Sequence, residues 1–430
     1  MATIRTTSSA QSGAATALVP SPLLWYGSEF LRGIAQAWVL LGLVLYAIRT
    51  LHSAQLWSGV LCGVMVTAPL VLAVLFFYPG SKRRGRLLGG SASTPRAWGR
   101  GLVIGLGLNT LGLTCLLIFS ALDSLFGRGL ALAIGYSLYL IGHSFVSTYE
   151  FPLAWHYWPA SSTIARIYTA NTAGNVAGFG LVGVGAVMGL YLSLPLTGLL
   201  VGALCLFAVT ALCRWPLIPS PGSAASTASP GLLSVPAPVV LQMPPRFLAR
   251  VLLAALLLSV GFGVIPPYQA YLLTHGASAS PTVIAAVSAG YYLSMMLGSA
   301  WLQWPRFAPK TVRLDWRLAL LSLASGLLIF WHAVIAEAAF LCVLGGLMSQ
   351  IGPEIERRLL TACPPPLQGR MSQWRGWSRL TTGVGVLGLA SLALPLAHPW
   401  AWLYGGLALT WGVSALWMVR EGSSSTSPAS

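Results

Sequence analysis

The stretch LVIGLGLNTLGLTCLLIFSAL, Leu102 to Leu122, holds no charged side chain and a single amide, Asn109. As a helix rising about 1.5 Å per residue, roughly 20 such residues cross the hydrocarbon core of a bilayer. A second run, FLARVLLAALLLSVGFGV from Phe247 to Val264, has the same character apart from Arg250. Outward from these two, apolar runs between breakers fall near 23 to 48, 57 to 78, 99 to 121, 129 to 150, 166 to 190 and 193 to 213. They resume near 247 to 273, 281 to 303, 316 to 335, 337 to 357, 377 to 395 and 398 to 419. The predicted fold class is an all-α membrane protein of twelve transmembrane helices in two six-helix bundles.

Composition agrees. Of 430 residues 56% are hydrophobic and 7% charged, against about a quarter charged in soluble domains. The formal charge of +16 does not describe a nucleic-acid binder, because the Lys and Arg sit between apolar runs rather than on one polar face. They follow the positive-inside pattern instead. With the N-terminus in the cytoplasm, Lys82, Arg83, Arg84, Arg86, Arg96 and Arg100 lie inside after the second span, and Arg306, Lys310, Arg313 and Arg317 after the eighth. Arg357, Arg358, Arg370, Arg375 and Arg379 follow the tenth, Arg166 opens the fifth, Arg214, Arg246 and Arg250 flank the central linker, and Arg420 ends the last. Only Arg49 and Arg128 fall in expected outside loops. Both termini are therefore expected in the cytoplasm, in the cytoplasmic (inner) membrane.

Five segments follow: a disordered tail 1–20, a bundle 21–215, a Pro, Ser and Ala linker 216–246, a second bundle 247–420 and a disordered tail 421–430. The first twenty residues, with a lone Arg5, do not read as a signal peptide, since the apolar run behind them is of full spanning length. Basic loops at matching places in the two halves suggest an internal duplication. The six cysteines show no C-x-x-C spacing and read as small apolar fillers. D-x-x-D, H-E-x-x-H, P-loop and nucleophile-with-base patterns are absent, so an enzyme is not expected, nor a cofactor or metal, nor ATP as energy source.

PYQAYLLTHGASAS from Pro267, SAGYYLSMMLG within the following run to Trp304, and PPPLQGRMS, Pro364 to Ser372, are similar to helices seven and eight and the loop before helix eleven of the major facilitator superfamily. The resemblance extends over nearly the whole chain. The family's basic loop after helix two appears in reduced form as PGSKRRGR, Pro79 to Arg86, without its acidic residue. The helix-five Pro and helix-four Arg of the family's drug antiporters are also missing. The resemblance implies two bundles around a central cavity, and cytoplasmic gate candidates at Gly80, Lys82, Arg83, Arg86, Arg306, Arg313 and Arg370.

Ionisable groups inside a span are costly and are candidate functional groups. Glu29, Arg32 and Gln36 recur at i, i+3 and i+7 along one face of the first span. Helix one lines the cavity in the family, so Glu29 becomes a proton-coupling candidate with Arg32 as its partner. The plain alternative is an interfacial pair whose heads snorkel to water. His143 and Glu150, seven residues apart in span four, form a second proton-relay candidate, against a neutral His bonded to a facing helix and Glu150 as an interfacial anchor. In span seven IPPYQAY removes backbone donors at its prolines. Tyr268, Gln269 and Tyr271, with Tyr291 and Tyr292, read either as ligand contacts or as an interfacial aromatic belt. Asn109, Asn171, Gln350 and Glu354 are further polar candidates, and Gly174, Gly178, Gly185 and Gly189 read as small-xxx-small packing.

The expected function is a secondary active transporter working by alternating access on a small amphipathic molecule, siderophore- or drug-like, with the proton as coupling ion and export as direction. Import of a small metabolite or siderophore, or a non-transporting assembly factor of the same fold, is the alternative. The expected partners are the substrate and the lipid bilayer, with a monomeric chain and no nucleic acid.

Overall fold

The computed structural model describes residues 21–50, 95–120, 125–158, 162–187, 196–214, 253, 256–257, 281–303, 313–331, 333–362, 392 and 395–424. The expected second span, nearly all of the seventh and eleventh, and the linker lie outside these residues. Nine helices carry the described chain: α1 (Pro22–Thr50), α2 (Pro95–Ser120), α3 (Leu125–Tyr157), α4 (Ser162–Val187), α5 (Leu196–Arg214), α6 (Pro281–Trp301), α7 (Asp315–Phe330), α8 (Val334–Ala362) and α9 (Pro399–Ser424). No strand occurs among the described residues.

These helices are apolar on both sides, as a bilayer requires. On α7, Leu318, Leu321, Ser325 and Leu328 are buried, while Leu320, Leu323 and Leu327 on the opposite side are exposed. In water such an outer face would be an aggregation surface; against lipid it is the solvent-facing side. Trp98–Ile118 and Val334–Leu359 are long and apolar enough, by length and composition, to cross a membrane.

Between helices in lipid there is little hydrophobic driving force, so close backbone approach at small residues has to supply the packing. A Cβ at Gly105 would stand 2.8 Å from Gly142 O, and one at Gly112 2.6 Å from Gly135 O, so α2 and α3 run antiparallel along a glycine seam. Gly33 meets Gly174 and Ala37 meets Gly178, which lays α1 and α4 side by side in the same direction. The surroundings of Gly185, and Gly189 itself, lie outside the described side chains.

α5 packs on α1 and α2; α6 packs on α8, and α7 on α8 and α9. Among the described helices, the halves meet chiefly where α4 lies along α6, with α8 adding to it. Thr169 stands opposite Ser299 and Phe179 opposite Tyr292, so α4 and α6 are antiparallel. α1 and α4 thus run parallel, and α4 and α6 antiparallel.

Two helices outrun their apolar segments. α3 continues to Tyr157 through an internal Pro152, and α8 to Ala362 through Pro353. Each proline costs one i to i−4 bond, and the neighbouring helices keep the turn in place. The extension puts Glu150 two turns inside α3 rather than at its end, and does the same for Glu354 in α8. α9 runs on to Ser424, past the expected bundle end at 420.

Candidate functional site

The first turns of α1, the last turns of α3 and the last turn of α5 meet at one end of the first half. Glu29 and Arg32 lie three residues apart on α1, so their side chains share a face. Arg32 Nε donates to Glu29 Oε2 at 3.0 Å, and its Nη2 donates to the same oxygen and to Glu150 Oε2 at 2.8 Å. Arg214, the last residue of α5, pairs through Nη2 with Glu29 Oε1 and donates to Glu150 Oε1 at 3.2 Å. Its Nε donates to Ser28 Oγ at 3.1 Å, and its guanidinium lies 5.0 Å from the Trp25 ring centre. Trp158 stands edge-on to Trp25 at 5.7 Å and closes that side.

Glu29 and Arg214 are 0% exposed, Glu150 1% and Arg32 5%. Burying an ion costs several kcal/mol unless it is paired and hydrogen-bonded. Here two carboxylates face two guanidiniums, so the cluster is neutral when both acids are ionised. Arg32 does not snorkel: its head is turned inward onto two carboxylates on two helices. Arg214 was expected only as an inner flank of the linker, and the structure corrects this by burying it completely. One signal was legible: it ends an apolar run, ALCR, and two buried acids call for a second cation.

One turn further along α1, Gln36 Nε2 donates to Nδ1 of His143 at 3.2 Å. His143 and Glu150 therefore engage different residues of α1, Gln36 and Arg32, which are four positions apart. The Tyr139 ring stacks on His143 with centroids 6.4 Å apart, and its phenol lies within electrostatic reach of Arg32, Tyr136 and Tyr292. Polar groups thus run from the charge cluster toward the surface where the halves meet.

On α4, Asn171 Nδ2 donates to the backbone oxygen of Glu29 at 3.4 Å, and Asn175 donates to Asn171 O at 3.0 Å. Tyr168 stacks on Phe151 of α3 at 5.4 Å. Across the halves, Thr169 Oγ1 donates to Ser299 Oγ at 2.9 Å, Gln303 Nε2 donates to Thr169 Oγ1, and Phe179 stacks on Tyr292 at 5.3 Å. None of Thr169, Ser299 and Gln303 stood out in the sequence, because short polar side chains in apolar helices give no periodic signal.

The remaining candidates are scattered. Asn109 is buried in the seam between α2 and α3, beside Gly142. Tyr291 is buried on α6 where its backbone oxygen abuts Gly345 of α8. Gln350 accepts from Arg317 Nε at 2.9 Å, and Glu354 ties Arg357 and Arg358 on its own helix. Arg313 is 77% exposed, 3.9 Å from Asp315. Tyr268, Gln269, Tyr271, Gly80, Lys82, Arg83, Arg86, Arg306 and Arg370 lie outside the described residues. Among the described residues no group of three His, Cys, Asp or Glu is placed to hold a metal ion.

Neither a family model nor a curated protein matches the chain. Solved structures do match in shape. A bacterial homologue of the iron transporter ferroportin, in an outward-facing state, superposes with a TM-score of 0.57 at 16% identity over 93% of this chain and 98% of that one. The nucleoside transporter NupG gives 0.54 at 13% over 92% and 99%. The fucose:proton symporter FucP of E. coli gives 0.53 at 15% over 94% and 99%. The chain has the all-helical fold of these transporters.

Proposed function

We propose that this chain is a secondary transporter of the cytoplasmic membrane, with both termini in the cytoplasm, that carries a small amphipathic molecule by alternating access. Proton movement drives it, in the direction of export. The observation that carries the reading is the fully buried cluster of Glu29, Arg32, Glu150 and Arg214. A purely structural helix contact in lipid is made more cheaply by apolar or small residues, whereas two acids sharing two cations form a site whose charge changes by one unit when a proton arrives. The fold supports transport by its likeness to carriers of nucleosides and of fucose with protons.

In mechanism, the ionised cluster is neutral and knits α1, α3 and α5 together at one end. A proton on Glu29 or Glu150 turns an ion pair into a weaker bond from a guanidinium to a neutral carboxyl and leaves the cluster with a net positive charge. The equilibrium between the two arrangements of the halves shifts by the difference in proton affinity between them. The polar ladder of Gln36, His143 and Tyr139 connects this end with the face between the halves, where the substrate would sit.

The test is accumulation of a panel of amphipathic compounds, siderophores and drugs included, in inverted vesicles with and without an imposed proton gradient. Gradient-driven uptake that Glu29→Gln abolishes, with the protein still inserted, is the expected result. Uptake only in right-side-out vesicles would reverse the direction, and undiminished gradient-driven uptake by Glu29→Gln would remove the cluster from the mechanism.

A further inference from the structure

We infer that Thr169, Ser299 and Gln303 form a latch between the two halves that the charge cluster holds shut, so that a proton entering the Glu29/Glu150 pair opens this end of the bundle. The inference rests on the proton-coupled transport proposed above and names the residues that transmit the coupling.

The latch is built to open at little cost. Thr169 Oγ1 has two acceptors within reach, Ser299 Oγ at 2.9 Å across the halves and Ala165 O at 2.9 Å on its own helix. Ser299 Oγ donates to Met296 O at 3.0 Å, and Gln303 Nε2 reaches Ser299 O at 3.4 Å as well as Thr169. If the halves part, each of the three keeps a partner on its own helix. None of the three donors is orphaned, so opening the latch itself gives up only the hydrogen bonds that cross between the halves. Small forces on α4 then decide between the shut and open forms.

Those forces come from residues next to the carboxylates. Asn171, two positions beyond Thr169, is tied to the backbone oxygen of Glu29 itself. Tyr168, the residue before Thr169, is stacked on Phe151, the residue after Glu150. The latch turn of α4 is therefore held by α1 and α3 at the two points where the acids sit. When one acid is neutralised, Arg32 and Arg214 are left sharing a single carboxylate charge, and their repulsion spreads the helix ends that clamp α4.

Among the described residues, Arg32 from α1 and Arg214 from α5 pair with the acids, and His143 of α3 meets Gln36 one turn further along α1. α4 contributes Tyr168 at the Phe151 stack, with its Arg166 exposed, and α2 brings Arg100, also exposed. Among these, only Glu29 and Glu150 can lower the cluster's negative charge by taking up a proton.

The experiment uses the full chain with its six native cysteines replaced by serine and the pair Thr169→Cys/Ser299→Cys introduced. The rate of oxidant-driven disulfide formation is compared at a single near-neutral pH, where thiol ionisation is common to all samples, between intact acids, Glu29→Gln and Glu150→Gln. Linking about tenfold slower in either glutamine variant is the expected result, the mark of a shut form that has become the minor one. Glu150→Gln is read alone if Glu29→Gln does not yield a monodisperse protein. A native linking rate in a glutamine variant that has lost gradient-driven uptake overturns the latch and leaves proton coupling in place. Slower linking in a protein that moves no compound supports the latch while removing the transport reading.

Discussion

Arg214 donates from Nη2 to Oε1 of Glu150 at 3.2 Å, joining the last residue of α5 to a residue two turns inside α3. Both are sealed from solvent, and the same guanidinium pairs with Glu29. Three helices distant in sequence are thus closed at one end by a single cation. Nη1 of Arg214 finds no partner among the described residues, but removal of the guanidinium would leave two buried carboxylates to Arg32 alone, so its loss should be felt strongly.

Arg214→Met is expected to destabilise the protein by about 3–5 kcal/mol, because it leaves two carboxylates to one guanidinium. The measurement is the thermal unfolding midpoint of the purified protein in detergent. Arg214→Lys should recover part of the loss, since an ammonium restores the charge without the planar fork. A midpoint unchanged in Arg214→Met would mean that the cluster does not hold these helices.

The charge-balanced double replacement Glu150→Leu/Arg214→Met should be more stable than either single change, by roughly 1–3 kcal/mol of coupling. Its gradient-driven uptake should nonetheless remain lost, because a titrating acid is gone. Simple additivity of the two unfolding shifts would show that the residues act independently.

Gly33→Ala and Gly107→Ala should move in opposite directions. A Cβ at Gly33 would stand 2.9 Å from Gly174 Cα and from Asn175 N, and closer still to Asn171 O, all backbone atoms that cannot step aside. A loss of about 1–3 kcal/mol or more follows from such overpacking. At Gly107 nothing lies within 4 Å, so alanine should add about 0.5–1 kcal/mol by its helix preference. The ranking of their unfolding midpoints decides the matter.

Tyr404→Phe removes the phenol that donates to Glu337 Oε2 between α8 and α9. A loss of about 0.5–1.5 kcal/mol is expected for one buried hydrogen bond. This pair lies in the second half, away from the cluster, so the ratio of uptake with and without the proton gradient should stay at its native value. A changed ratio would place Glu337 in the coupling path.

Much of the architecture was legible residue by residue. The run at 99 to 121 lies within α2 apart from its final residue, and the run at 398 to 419 falls almost entirely within α9. Helical spacing also put Glu29, Arg32 and Gln36 on one face, and all three are buried inside the bundle. The ends were less legible: α3 passes Pro152 and carries Glu150 inward, because packing against other helices outweighs one missing hydrogen bond.

By itself the sequence determined that this chain lives in lipid, since no aqueous fold tolerates so few charges, and which residues share a helical face, since that follows from 3.6 residues per turn. Only the tertiary structure decided which faces meet. In a bilayer every helix exterior is apolar, so hydrophobicity does not select partners; close approach at glycines does, and that depends on both surfaces at once. Gly33 against Gly174 sets α1 on α4, and α1 in turn packs on α5. Through those contacts Arg214, which reads in the linear chain as a flanking charge, becomes the buried partner of two acids.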